Sequence, residues 1–257
     1  MSIDRKPLTA RSVVASTLLG TDPPWLPTRL LVRAGELFGI AEGTVRVALS
    51  RMTGAGELEA SGEGYQLVGR LLDRQARQTA SRLAATERWD GTWELAVVRS
   101  GRARTAAERA SLRQALTDLR LGELREGAWM RPANLPADRS PEARHSATAQ
   151  CLWVRQAPVE PTPEPAELWD LAAWADDATE LRSELADLLP RLDAGDTTAL
   201  RAGFVTSAAV LRLLQRDPLL PAVLLPAGWP GDALRRDYDH YDAVWRASFL
   251  RHLNASP

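Results

Sequence analysis

The sequence predicts an α+β chain in three parts: an N-terminal winged helix-turn-helix, a small ferredoxin-like middle domain and an all-α C-terminal domain. Three observations predict it. Three helical patterns and a short two-strand pattern crowd into the first part. A stretch of period-2 alternation, "WDGTWELAVVRS", opens a mixed region. Leucines at spacings of three and four then fill everything beyond the proline-rich, acidic "APVEPTPEPAEL". The expected boundaries are residues 1–88, 89–158 and 159–257.

In the first part, "RSVVASTLLG" (residues 11–20) reads as a helix that Asp22-Pro23-Pro24 stops, because proline cannot continue it. Pro27 opens a second helix with an inner stripe of Leu30, Leu31, Ala34, Leu37 and Phe38, and Gly39 ends it as a C-terminal cap glycine does. The third helix lies in "GIAEGTVRVALSRMTGAGEL". On a helical wheel Val45, Ala48, Leu49 and Met52 gather on one side as a packing face. Gly43, Val47 and Ser50 fall opposite, flanked by Thr44, Arg46 and Arg51. A small, polar and cationic outward side suits a polyanionic partner. "GELEASGEGYQLVG" reads as a hairpin, completing a winged helix-turn-helix, and a long helix from about Leu71 to Arg88 leads out.

In the middle part Trp93, Leu95 and Val97 alternate with Glu94 and Ala96 along a strand. A helix over "TAAERASLRQALTDLRLG" turns Leu112, Leu116 and Leu119 inward and a run of arginines outward, and "GAWMRP" and "ATAQCLWVRQ" read as further strands. Two or three strands around one helix suggest the ferredoxin-like unit. The last part reads as helical throughout, with long patterns over "AELWDLAAWADDATELRSELADLLPRL" and "DTTALRAGFVTSAAVLRLLQRD" and a final helix from about Asp232 to Leu253.

Composition narrows the function classes. The chain has 257 residues, 45% of them hydrophobic, enough to give each part a core. Its net charge of −1 is unevenly spread. Residues 1–88 carry 12 Lys and Arg against 9 Asp and Glu, a net of +3; residues 89–155 carry 11 against 8, again +3; residues 156–257 carry 9 against 16, a net of −7. A basic front with an acidic rear fits DNA contact by one domain only. The single cysteine, Cys151, excludes an intramolecular disulfide and sits in an apolar strand as a structural thiol. His145, His240 and His252 have no metal-ligand spacing, so neither a metal site nor catalytic residues are expected. The N-terminus lacks the apolar stretch of a signal peptide and no run of 18 apolar residues occurs, so a cytoplasmic protein without membrane contact is expected.

Three separated stretches together resemble the PaaX family of bacterial transcriptional repressors: "LFGIAEGTVRVALSRMTGAGEL", then "WDGTWELAVV" with "GAWMRP", then "DPLLPAVLLPAGWPGDALRRDY". The resemblance implies a homodimer that binds a partly palindromic operator in double-stranded DNA and is released by an acyl-CoA effector such as phenylacetyl-CoA. It gives Thr44, Arg46, Val47, Ser50 and Arg51 as the groove-facing set, the same residues that the wheel exposes. Two departures stand out. Ala41 replaces the serine that commonly opens the recognition helix, and Glu57, Glu59 and Glu63 make the wing acidic where relatives are arginine-rich, which sets it against phosphate.

Arginine can donate two hydrogen bonds to guanine O6 and N7, which suits Arg46 for base contact, while Arg51, a turn later, suits phosphate. Val47 can pack on a thymine methyl, and Ser50 can bond a base or the backbone. Arg5, Lys6, Arg11 and Arg29 lie on elements that flank the groove in such domains, where they would position the protein without specifying sequence. The expected function is therefore that of a sequence-specific regulator, a repressor, with an adaptor that has lost DNA binding as the alternative. A nuclease is not expected, because the first middle-domain strand ends "VVRSGR" where a carboxylate ligand would be needed. The effector pocket stays unassigned: Arg99, Arg102 and Arg104 could rim it or form a solvated loop, and Tyr238, His240 and Tyr241 could mark a dimer surface.

Overall fold

The computed structural model describes residues 8–99 and 104–255. The chain divides into two compact units, one made of Met1–Thr79, Thr179–Arg212 and Ala233–Pro257, the other of Ala80–Ala178 and Leu213–Asp232.

In the first unit α1 (Ala10–Leu19) opens on a reciprocal cap between Thr9 and Ser12. Next come β1 (Trp25–Pro27), α2 (Thr28–Leu37), α3 (Glu42–Gly54), β2 (Leu58–Ser61) and β3 (Gly64–Leu67), and α4 (Arg70–Leu83) leads out. Val14, Leu18, Leu31, Val45, Leu49, Met52, Leu58, Leu67 and Leu71 form one core. This is the expected winged helix-turn-helix, with differences in detail. The sheet has three antiparallel strands in the order β1-β3-β2, because Trp25–Pro27, too short to show a period, pairs with β3. Leu30 is only half-buried, whereas Val32 and Gly35 join the buried arc of α2, which packs against both α1 and α3. The outgoing helix stops short of Arg88 because Ala84 takes a left-handed φ of 50°.

Both helices of the turn end in the same device. Gly39, at φ 72°, follows α2; its N–H reaches Glu36 O at 2.9 Å and the N–H of Ile40 reaches Gly35 O at 3.0 Å. Gly56, at φ 66°, follows α3; its N–H reaches Thr53 O at 3.0 Å and that of Glu57 reaches Met52 O at 2.9 Å. These are Schellman motifs, in which a left-handed residue lets two backbone amides fold back on the last turn.

The middle elements are β4 (Trp93–Val98), α5 (Ala106–Asp118), β5 (Gly122–Arg125), β6 (Ala128–Pro132), α6 (Pro141–Thr148) and β7 (Cys151–Ala157). The sheet is antiparallel in the order β5-β6-β4-β7, which with its two helices is the ferredoxin-like β-α-β-β-α-β arrangement. It holds one more strand and one more helix than the sequence showed, β5 and α6 each being too short for a clear period. The face of β4 also differs from expectation. Ala96 packs with Leu112, Leu116 and Trp129, Trp93 packs with Met130 and Leu168 on the other side, and Val97 is exposed. The expected outward run of arginines loses Arg120, which is buried in a left-handed turn after α5.

Glu94 therefore lies inside. It accepts from Arg144 at 2.6 and 3.1 Å and from Arg131 Nε at 3.2 Å. Burial pulls the Arg131 guanidinium down to about 10, and Glu94 opposes that pull. The guanidinium stays charged at neutral pH.

Beyond β7 the chain is helical: α7 (Pro165–Leu168), α8 (Leu171–Asp193), α9 (Thr197–Leu214), a 3-10 turn at Ala222–Leu224 and α10 (Gly231–Asn254). The first long helical pattern is broken where Trp169 turns extended. In the first unit Phe204 of α9 meets Phe38 at 4.7 Å and Trp245 of α10 at 6.0 Å, while Arg201 donates to Leu37 O. Tyr238 and Tyr241 are buried in α10, which removes them from any dimer surface; His240 is exposed. In the second unit Trp174 stacks on Trp229 at 4.5 Å. Among the described residues no helix is long and apolar enough to cross a membrane.

Gly35 sets how closely α2 can approach α3, because a Cβ there would collide with Cγ2 of Val45. Gly35→Ala gains about 1 kcal/mol of helix propensity and loses about 1–3 kcal/mol to overpacking. A net loss of stability is expected in urea titration, with Val45→Ala in the same chain restoring part of it.

Candidate nucleic-acid interface

α3 places the expected residues as the wheel placed them. Val45, Ala48, Leu49 and Met52 are buried, and Thr44, Arg46, Val47, Ser50 and Arg51 are exposed. Val47 is 51% exposed, a large apolar side chain left open to solvent in the middle of this surface. Arg46 is not idle: its Nε donates to Glu42 Oε1 at 2.8 Å, one helical turn back. With both side chains more than half exposed, such a pair contributes about 0.3–0.5 kcal/mol and opens at little cost.

A groove of about 430 Å³ runs beside this face, lined among others by Thr9, Arg11, Thr44, Val47, Arg51 and Arg70. Arg11 thus joins the α3 face. Arg29 is exposed on the first turn of α2 and does not line the groove. Arg5, Lys6 and Arg102 lie outside the described residues.

The wing corrects one expectation. Glu59 and Glu63 are exposed on or beside the hairpin, but Glu57 is only 1% exposed. Gly56 turns the chain so that Glu57 points inward, where it accepts from Arg11 Nε at 3.0 Å, from Arg11 Nη2 at 2.6 Å and from Arg70 Nε at 3.0 Å. The hydrogen bonds from Arg11 come first in holding its carboxyl below the usual glutamate range, and those from Arg70 add to them against the cost of burial. So one of the three glutamates charged against phosphate is already neutralised. Sequence reading missed Arg70 and the role of Glu57, because partners 46 and 13 residues apart leave no periodic trace.

Elsewhere, Arg104 donates to Gln150 at 3.1 Å and to the carbonyl of Arg99, so its guanidinium braces its own loop. Cys151 is buried, and desolvation pushes its thiol up, away from the thiolate a nucleophile needs. Among the described residues no three His, Cys, Asp or Glu side chains stand together to hold a metal ion.

Three family models divide the chain: PaaX-like protein over residues 9–74, PaaX protein central Cas2-like domain over 86–169, and PaaX-like protein C-terminal domain over 169–255. The solved structure of the uncharacterized protein Rv0674 from Mycobacterium tuberculosis is similar at a TM-score of 0.74 and 40% identity, over 96% of this chain and 99% of that one. The chain belongs to the PaaX-like family. No curated protein matches it. PaaX-like membership places it among transcriptional regulators, a family that is not enzymatic.

In this PaaX-like chain α3 starts without a side-chain cap: Ala41 sits at the N-cap with φ −62° and ψ 145°, a geometry that serine adopts freely. Ala41→Ser is expected to stabilise the protein by about 1 kcal/mol, read as a rise in thermal midpoint. The Glu57 cluster makes a second prediction. A carboxyl held low in the folded state contributes stability above its unfolded pKa and loses it as pH falls through the folded value. Arg11→Ala is therefore expected to be less stable than wild type by a constant margin at neutral pH, with the gap narrowing as pH falls below the usual carboxylate range, read by urea titration at several pH values.

Proposed function

We propose that the protein is a sequence-specific DNA-binding transcriptional regulator in which α3 enters the major groove. The observation that carries this reading is the outward side of α3, where Thr44, Arg46, Val47, Ser50 and Arg51 are all exposed on one continuous surface while the opposite side is locked into the core. Arg46 is the base-reading residue: it leaves Glu42 and donates to O6 and N7 of guanine. Val47 offers a methyl-sized apolar contact, Ser50 a hydrogen bond, and Arg51 a phosphate contact, with Arg11 and Arg29 positioning the domain.

The finer assignments belong to the same reading. The protein acts as a cytoplasmic homodimeric repressor on a partly palindromic operator, its half-sites separated by whole helical turns, and an acyl-CoA thioester such as phenylacetyl-CoA releases it. These are supported by family membership. A second reading, an adaptor that has lost DNA binding, draws on the wing, since β2 and β3 carry no cation and Glu59 and Glu63 are exposed.

Gel shift on the protein's own upstream region at two salt concentrations separates them: DNA binding through phosphates weakens steeply with salt, and an adaptor shows no shift at either. Arg46→Ala is expected to keep the fold and lose about 1–3 kcal/mol of discrimination, roughly 5- to 150-fold in the ratio of operator to scrambled duplex. An unchanged footprint would remove Arg46 from base reading.

A further inference from the structure

The groove beside α3 is built on a buried carboxylate held by two guanidinium groups. Glu57 takes the Nε and Nη2 edge of Arg11, and the same edge of Arg70. Each arginine has five donors in a rigid plane, so the Nη1 side of both stays available. The exposures match this: 1% for Glu57, 52% for Arg11 and 71% for Arg70. The result is a pair of fixed forks with one net positive charge, and Arg51 lines the same groove to add a second.

α4 prolongs the charge. Arg70, Arg74 and Arg77 stand at i, i+4 and i+7, on one side of the helix. Burial first, then the positive charges of Arg212, Arg11 and Arg77, pull Arg74 below its usual value. The anion that fits is an extended one, because the groove is continuous with Thr44 and Val47 of α3, and a backbone of regularly spaced phosphates covers both.

We propose that the groove and the first turns of α4 form a backbone clamp for duplex DNA, with Arg11, Arg51 and Arg70 as phosphate ligands and Glu57 as the positioning residue that holds two of them side by side. This rests on the reading of α3 as the groove-entering helix. Glu57 does not repel the duplex, since the two guanidiniums bound to it outweigh its charge. It fixes their planes before the phosphate arrives, so that little side-chain freedom is lost on binding.

Fluorescence anisotropy of the full-length protein with its upstream duplex and with an unrelated duplex, from 50 to 200 mM salt, tests the clamp. Arg70→Ala is expected to weaken both duplexes alike, by about 3- to 10-fold, and to flatten the slope of log affinity against log salt by about 1. Arg70→Lys should keep most of the slope and lose affinity, because a point charge cannot replace the held fork. Glu57→Gln separates positioning from plain charge: removing a negative charge should tighten binding if only charge counts, whereas loss of positioning weakens it. Arg70 is exposed, so its two variants decide the matter even if Glu57→Gln fails to fold. An unchanged salt slope in Arg70→Ala, or tighter binding by Glu57→Gln, overturns the clamp and leaves the α3 reading standing. A wild-type protein that binds neither duplex overturns both.

Discussion

The approach of α2 to α3 is the constraint on which the rest of the winged-helix region depends. Gly35 has no side chain, Val45 fills the space, and the two helices lock. With Val45 seated, Ala48, Leu49 and Met52 follow it into the core at helical spacing, and the rotation of α3 about its axis is set. Only then do Thr44, Arg46, Val47, Ser50 and Arg51 share one side. Gly39 and Gly56 complete the setting, since each closes its helix and sends the chain off in a defined direction.

Two buried glutamates show how the same chemistry serves different ends. Glu94 lies beneath Arg131 and Arg144, whose side chains are 5% and 15% exposed. Arg155, 58% exposed, stands 3.7 Å from the same carboxylate, and removing Arg131 or Arg144 would leave a charge in a poorly solvated interior, at a cost of about 3–5 kcal/mol. Around Glu57 the carboxylate is equally buried but its arginines reach the solvent. The carboxylate needs its guanidiniums as Glu94 does, but their outer edges stay open to solvent.

How much of this was legible depended on length scale. α3 could be read to the residue, because thirteen residues of strict periodicity separate a buried side from an open one. Gly39 announced its own turn. The strand Trp25–Pro27 and the helix Pro141–Thr148 could not be read, since neither is long enough to repeat, and alternation along β4 could not say which face is inner, because core residues lie on both. Arg120 and Glu57 looked like surface charges. Local patterns expose charged residues by default, and only a turn with positive φ, at Arg120 itself and at Gly56 before Glu57, brought them inside. Long-range ion pairs follow from the fold and leave no mark on the neighbouring sequence.

The two ends of α3 are held unequally. Its carboxyl end is closed by a full Schellman motif and pinned to the core through Met52, while its amino end begins at Ala41 with no side chain to receive the first amides. Local opening is therefore confined to the turn before Val45, and the amide protons of Glu42 and Gly43 should exchange with solvent ahead of those from Leu49 to Met52. Val45 and Met52 thus hold the segment that carries Arg46 between them, and the looseness is left to the turn ahead of it.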